Sequence, residues 1–318
     1  MTLAASGGIV PWAVGGACMK RKSPGFSKGW LAAALVSFAG LSAPALAGEP
    51  AASPCSTWRT AENSHFRLRW IGVSLDPAAV LRALEVRCEE LCERWLGRGG
   101  APKWSPKCEI VVHETGEAFR RRTGRPPSML AFSDLEIGDG RVWMRRIQAR
   151  ADAPHPLGEL LEHELVHVVL AERFSTRRIP RWADEGIAVA EERSGRMGRL
   201  ERTLLDAVEA GRHIPLSRVL TADRYPADAA RADLFYAQSA SLVKFLLRYG
   251  DAADLVGFAD RAGLVGVEAA MRERYPFSSP ADAERAWLSW MRMEVEKASG
   301  PTAFTTLDAN VATDGKES

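Results

Sequence analysis

The stretch Leu157 to Ala171 sets His163, Glu164 and His167 among Leu160, Leu161, Leu165, Val166, Val168, Val169 and Leu170. At 3.6 residues per turn these aliphatic side chains surround the polar ones on nearly every face, which predicts a buried helix. Asp152-Ala153-Pro154-His155-Pro156 marks its start. Burying two imidazoles and a carboxylate costs several kcal/mol unless they are paired. Metal coordination is one of the few ways to satisfy all three together; the alternative is that they face solvent or bond to neighbouring side chains.

The spacing suits a metal ion. His163 and His167 lie four residues apart, on one helical face, and Glu164 flanks the position they leave open. Hydrolytic zinc sites take three protein ligands and reserve a fourth place for water, so a third ligand is required. Glu185, in Trp182-Ala183-Asp184-Glu185-Gly186, is the candidate. Pro180 suits the first position of the helix that carries it, because proline's missing N–H would go unbonded there. Arg173 to Ile179 is the expected connecting loop. Gly186 sacrifices helix propensity, and the expected return is a close approach to the metal helix. Asp184, Glu191 and Glu192 are candidates to orient the histidines, since a ligating imidazole usually donates its other N–H to a carboxylate.

His163-Glu164-Leu165-Val166-His167, taken with Pro180-Arg181-Trp182-Ala183-Asp184-Glu185-Gly186-Ile187-Ala188, resembles the gluzincin metallopeptidases, and in particular the bacterial peptidase MA-like domains. Tyr236-Ala237-Gln238-Ser239 is similar to the Y-x-x-S helix that such domains carry downstream. The resemblance covers about Leu157 to Gly250. It implies one zinc ion per chain on His163, His167 and Glu185, with Glu164 as general base for attack of water on a peptide carbonyl. Tyr236 is the candidate second donor to the oxyanion. The G-x-M-E-N segment that holds a free amino end in related aminopeptidases is missing, which points to an endopeptidase. The competing reading is a non-catalytic peptide- or protein-binding module on a peptidase scaffold. His65, His113, His155 and His213 lack ligand spacing.

The N-terminus reads as an export signal. Lys20-Arg21-Lys22 and Lys28 precede the apolar run Trp30 to Ala39, and Ala45-Leu46-Ala47 offers the small-x-small cleavage pattern. Cleavage after Ala47 places the mature chain in the periplasm or outside the cell, with no stable membrane span. Met19 is an alternative start to Met1. The whole chain carries a net charge of +2, and losing those four basic residues brings it to −2. So balanced a chain gives no sign of nucleic-acid binding, and the expected partner is a peptide or protein substrate. Export also makes disulfides plausible among Cys55, Cys88, Cys92 and Cys108. Cys88 and Cys92, one helical turn apart, are each expected to pair with Cys55 or Cys108.

Periodicity predicts strands at His65–Ile71, Cys108–His113 and Arg141–Ile147, and helices at Pro77–Leu96 and Glu117–Arg122. Beyond Glu192, helices are expected at Met197–Ala210, Arg231–Arg248, Ala252–Ala262, Val265–Arg274 and Pro280–Ala298. The expectation is an α+β, zincin-like fold. A signal peptide (1–47) precedes an α/β lobe with a small mixed sheet (48–150), a helical zinc-binding lobe (151–298) and a disordered tail (299–318). In zincins an edge strand of that sheet can hold an extended substrate by main-chain bonds.

Overall fold

The computed structural model describes the backbone of Ala13–Arg21 and residues 57–97, 103–126, 128–154, 157–192 and 196–299. In chain order the sheet-forming part contains β1 (Ala13–Arg21), β2 (Arg59–Glu62), β3 (Phe66–Trp70), α1 (Pro77–Leu96), β4 (Cys108–His113), α2 (Gly116–Thr123), β5 (Met129–Gly138) and β6 (Arg141–Arg150). Helices follow: α3 (Leu157–Leu170), α4 (Arg181–Ala190), α5 (Arg196–Glu209), α6 (Leu216–Thr221), α7 (Ala229–Leu246), α8 (Ala252–Val265), α9 (Val267–Arg274) and α10 (Pro280–Ser299). The class is α+β, as expected. The chain forms two compact units, residues 1–85 with 102–161, and residues 86–101 with those from Glu162 onward. The division falls inside α1 and α3.

The first unit is a mixed sheet in the order β1-β5-β6-β4-β3-β2. Its central strand, β4, runs parallel to both β3 and β6. Cys108, Ile110, Val111, Val112 and His113 are all buried there, the near-continuous apolar reading of a strand covered on both faces. Across these three strands Glu109 receives hydrogen bonds from Arg69 (2.9 Å) and Arg146 (2.5 Å). Burial opposes charge on this carboxyl, but the two guanidiniums hold it below the usual carboxylate range. β5 and β6 are antiparallel, with Gly138 opposite Arg141. The two residues between them, Asp139 and Gly140, have φ of 51° and 69°, as a two-residue primed turn requires. β1, from the segment read as an export signal, runs parallel to β5 along its other edge.

In the second unit α4 packs on α7, and Gly186 is the reason they come so close. A Cβ built on Gly186 would lie 2.6 Å from the backbone oxygen of Ser239 and 3.0 Å from Cγ2 of Val243. Its close neighbour is therefore α7, where the sequence suggested the metal helix; the missing side chain lets two backbones meet. At the far end of α4, Glu191 accepts hydrogen bonds from Arg87 (2.7 Å) and from the indole of Trp95 (3.0 Å), both on α1. Arg87 and Trp95 are buried.

Most predicted elements are present within a few residues of their expected ends. β1, β2, β5 and α6 are additional. Pro180 caps α4 from just outside, its carbonyl accepting the N–H groups of Ala183 and Asp184, both at 3.0 Å. The expected disulfide through Cys108 does not form. Cys88, Cys92 and Cys108 are buried thiols, and burial pushes that of Cys108 up to about 12. The leader run Trp30–Ala39, the cleavage pattern at Ala47, Cys55, His155 and residues 300–318 lie outside the described residues. Among the described residues no helix is long and apolar enough to cross a membrane.

Candidate metal centre

α3 is buried as its pattern required: His163, Glu164 and His167 are 3%, 0% and 1% exposed. From its end the chain turns through Ala171–Ile179, where Arg173 and Arg177 both pair with Asp260 of α8. It then enters α4, buried from Trp182 to Val189. This return brings Glu185 to the histidines. Oε2 of Glu185 is 3.9 Å from Nε2 of His163. One ligand atom from each of His163, His167 and Glu185 lies within 4.8 Å of the others.

Each imidazole is held by its other nitrogen. Nδ1 of His167 is 2.6 Å from Oδ1 of Asp184, and Nδ1 of His163 is 2.8 Å from Oε1 of Glu192. A carboxylate only accepts, so each Nδ1 carries a proton, and each Nε2, once it gives up its own, presents a lone pair. Both Nε2 atoms, with Oε1 of Glu185, are buried and have no hydrogen-bond partner among the described residues. Buried polar atoms of a folded protein are nearly always satisfied, so three converging orphans require an explanation. Two neutral imidazoles and a carboxylate form a donor set suited to a divalent transition metal, and the carboxylates behind the rings are what such sites use to aim them. Without metal, burial works against charge on His167, yet Asp184, Glu185 and Glu164 push its imidazole up to about 10. The pocket is thus strongly electronegative.

Asp184 and Glu192 take the orienting roles anticipated for them. Glu191 does not; it faces α1. A further participant, Tyr225, was not foreseen. Its hydroxyl accepts from Nη1 of Arg181 at 3.1 Å and bonds to the Glu185 carboxylate. The Arg181 guanidinium sits over its ring, 4.7 Å from the centroid. Burial, with Glu185 and Asp184 nearby, raises the Tyr225 pKa well above that of a free phenol. Tyr225 lies in Asp223-Arg224-Tyr225-Pro226, between helices, where no motif marks it. Tyr236, buried on α7, packs against it with ring centroids 6.0 Å apart.

The remaining described histidines serve elsewhere. His65 pairs with Glu85, His113 with Gln148 at 3.1 Å, and His213 with Glu284 at 3.1 Å.

The fold and site define an α+β protein whose helical unit holds a buried His–His–Glu group able to take a metal ion. No protein-family model and no curated protein matches the chain in sequence.

Proposed function

We propose that this chain is an exported zinc-dependent metallopeptidase, an endopeptidase of the gluzincin kind. The observation that carries the reading is the pair of orphaned Nε2 atoms, each backed by a carboxylate on Nδ1, converging with Oε1 of Glu185. His163, His167 and Glu185 would hold the ion. Zinc, when bound there, supplies Lewis acidity toward a carbonyl oxygen and toward water.

The chain's own groups do the rest. Glu164, buried beside the ligands, accepts the proton of the attacking water and returns it to the departing amine. A phenol donates a hydrogen bond to the oxygen on which negative charge develops. Tyr236 holds this role by resemblance, while Tyr225 lies on the Glu185 carboxylate. Asp184 and Glu192 fix the rings and their tautomers. Peptide or protein chains are the substrate class, met in the periplasm or outside the cell.

The test is metal analysis of the purified full chain together with cleavage of a peptide library. The expected result is about one zinc per chain and internal cleavage that stops with a chelator. Glu164→Gln should abolish cleavage and keep the metal. Undiminished cleavage by that variant, or a chain that takes up no metal, would reject the reading.

A further inference from the structure

Away from the metal centre, the second unit contains a cavity of about 740 Å³ whose polar wall is basic. Arg212, Arg218 and Arg231 line it, from the loop after α5, from α6 and from the first turn of α7. Among the described residues none of the three guanidiniums has an ion pair, a hydrogen bond or a ring contact. Most other arginines of this chain are paired, including Arg69, Arg87, Arg122, Arg146, Arg150, Arg173 and Arg261. Asp206 is the one carboxylate on the wall. All three are exposed and hydrated, and together they set up a positive potential over the hollow that an incoming anion would meet at three points.

The wall is also built rather than loose. The side-chain amide of Gln238 bonds both backbone groups of Ile214, accepting from its N–H (2.9 Å) and donating to its carbonyl oxygen (2.5 Å). Glu284 clamps the same loop twice, through the His213 ring (3.1 Å) and the Leu216 N–H (2.6 Å). With Glu284 committed to these bonds, its charge is not offered to the arginines. Ala207, Ile214, Pro215, Pro226 and Leu234 supply an apolar lining.

We infer that this cavity is a binding site for an oxyanion, a carboxylate or phosphate group carried on a partly apolar ligand. Guanidinium forks match both groups in geometry, and the volume lies within the range of small-ligand sites. Pro226 in the wall follows Tyr225, so the site shares a loop with the phenol that rests on Glu185. The inference nevertheless stands apart from peptidase activity.

Calorimetric titration of the full chain at low ionic strength with inorganic pyrophosphate, and separately with triglutamate, tests it. At least one probe should bind, and which one binds identifies phosphate or carboxylate as the source. Replacing Arg212, Arg218 and Arg231 together by Gln should weaken binding by about tenfold or more. Arg202→Gln, at an exposed position on α5 outside the wall, should leave it unchanged. If the triple variant fails to fold, each single Arg→Gln variant should still weaken binding about threefold. The inference is overturned if neither probe binds, if the wall variants bind like the parent, or if Arg202→Gln loses as much as they do.

Discussion

Nδ1 of His167 and Oδ1 of Asp184 stand 2.6 Å apart in a fully buried contact between α3 and the first turn of α4. That one bond sets which nitrogen of His167 carries the proton and where the other points. Asp184→Asn keeps the shape but removes the charge that fixes the tautomer. Zinc affinity should fall about 10- to 100-fold, read by competition with a chromogenic chelator. Unchanged affinity would mean that the ring needs no such support.

Gly186→Ala tests the contact between α4 and α7. Alanine gains roughly 1 kcal/mol of helix propensity, but its methyl would meet a backbone oxygen at 2.6 Å. Backbone cannot swing aside as a side chain can, so a net loss of about 1–3 kcal/mol is expected in urea denaturation. A more stable variant would show that α7 yields freely.

Arg87 is buried beside an equally buried Glu191, each side chain 8% exposed. Arg87→Ala leaves that carboxylate only the more exposed Arg94 (3.2 Å) and the Trp95 indole, and should cost about 3 kcal/mol. Adding Glu191→Leu should return a large part of the loss, because the charges then left without a partner, Glu90, Glu162 and Arg94, are more exposed than Glu191. Additive losses in the double-mutant cycle would refute a direct pair.

His113 titrates against the fold. Burial lowers its pKa, only partly offset by the hydrogen bond with Gln148. The unfolded chain therefore binds its proton more readily. The neutral ring's contribution is complete above the unfolded value near 6.5, and is lost as pH falls from there through the lower folded value. His113→Phe keeps the edge-on aromatic contact with Phe119 and cannot titrate. Between pH 7 and 5 the parent should lose stability more steeply than the variant, measured as the difference in urea midpoints. Parallel curves would exclude His113 as a source of acid sensitivity.

Tyr225→Phe and Tyr236→Phe separate the two phenols. The one that donates to the oxyanion should lower kcat by about 100-fold or more with KM nearly unchanged. The other should leave kcat within a few-fold. Equal, small effects from both would remove tyrosine from the chemistry.

The sequence showed α3 clearly, because a run of aliphatic residues around two histidines has few other solutions. It also showed α1 and β4, whose ends match their expected bounds. Asp184 and Glu192 were legible as orienting groups because their positions follow from local spacing around Glu185. The contact of Gly186 was not, since its partner Ser239 lies far along the chain and nothing in α4 points to α7 rather than α3. Tyr225 escaped for a related reason: it reaches Glu185 from an irregular segment without periodicity. β5 is different. Asp139-Gly140 is a strong two-residue hairpin signal, and following it backward from β6 would have revealed the strand. β2 and α6 are too short for a period to emerge. The Cys108 thiol shows that an even number of cysteines is no proof of pairing.

Strand β1 lies within the segment that an export pathway would remove, yet it covers an edge of β5. Under the export proposed above, the two descriptions would belong to different moments in the life of the chain. Before processing, the main-chain groups along that side of β5 are engaged. Cleavage after Ala47 would strip the strand and leave a row of vacant donors and acceptors, a template on which another extended chain can pair. Maturation would then do more than deliver the protein: it would make β5 an exposed margin of the sheet.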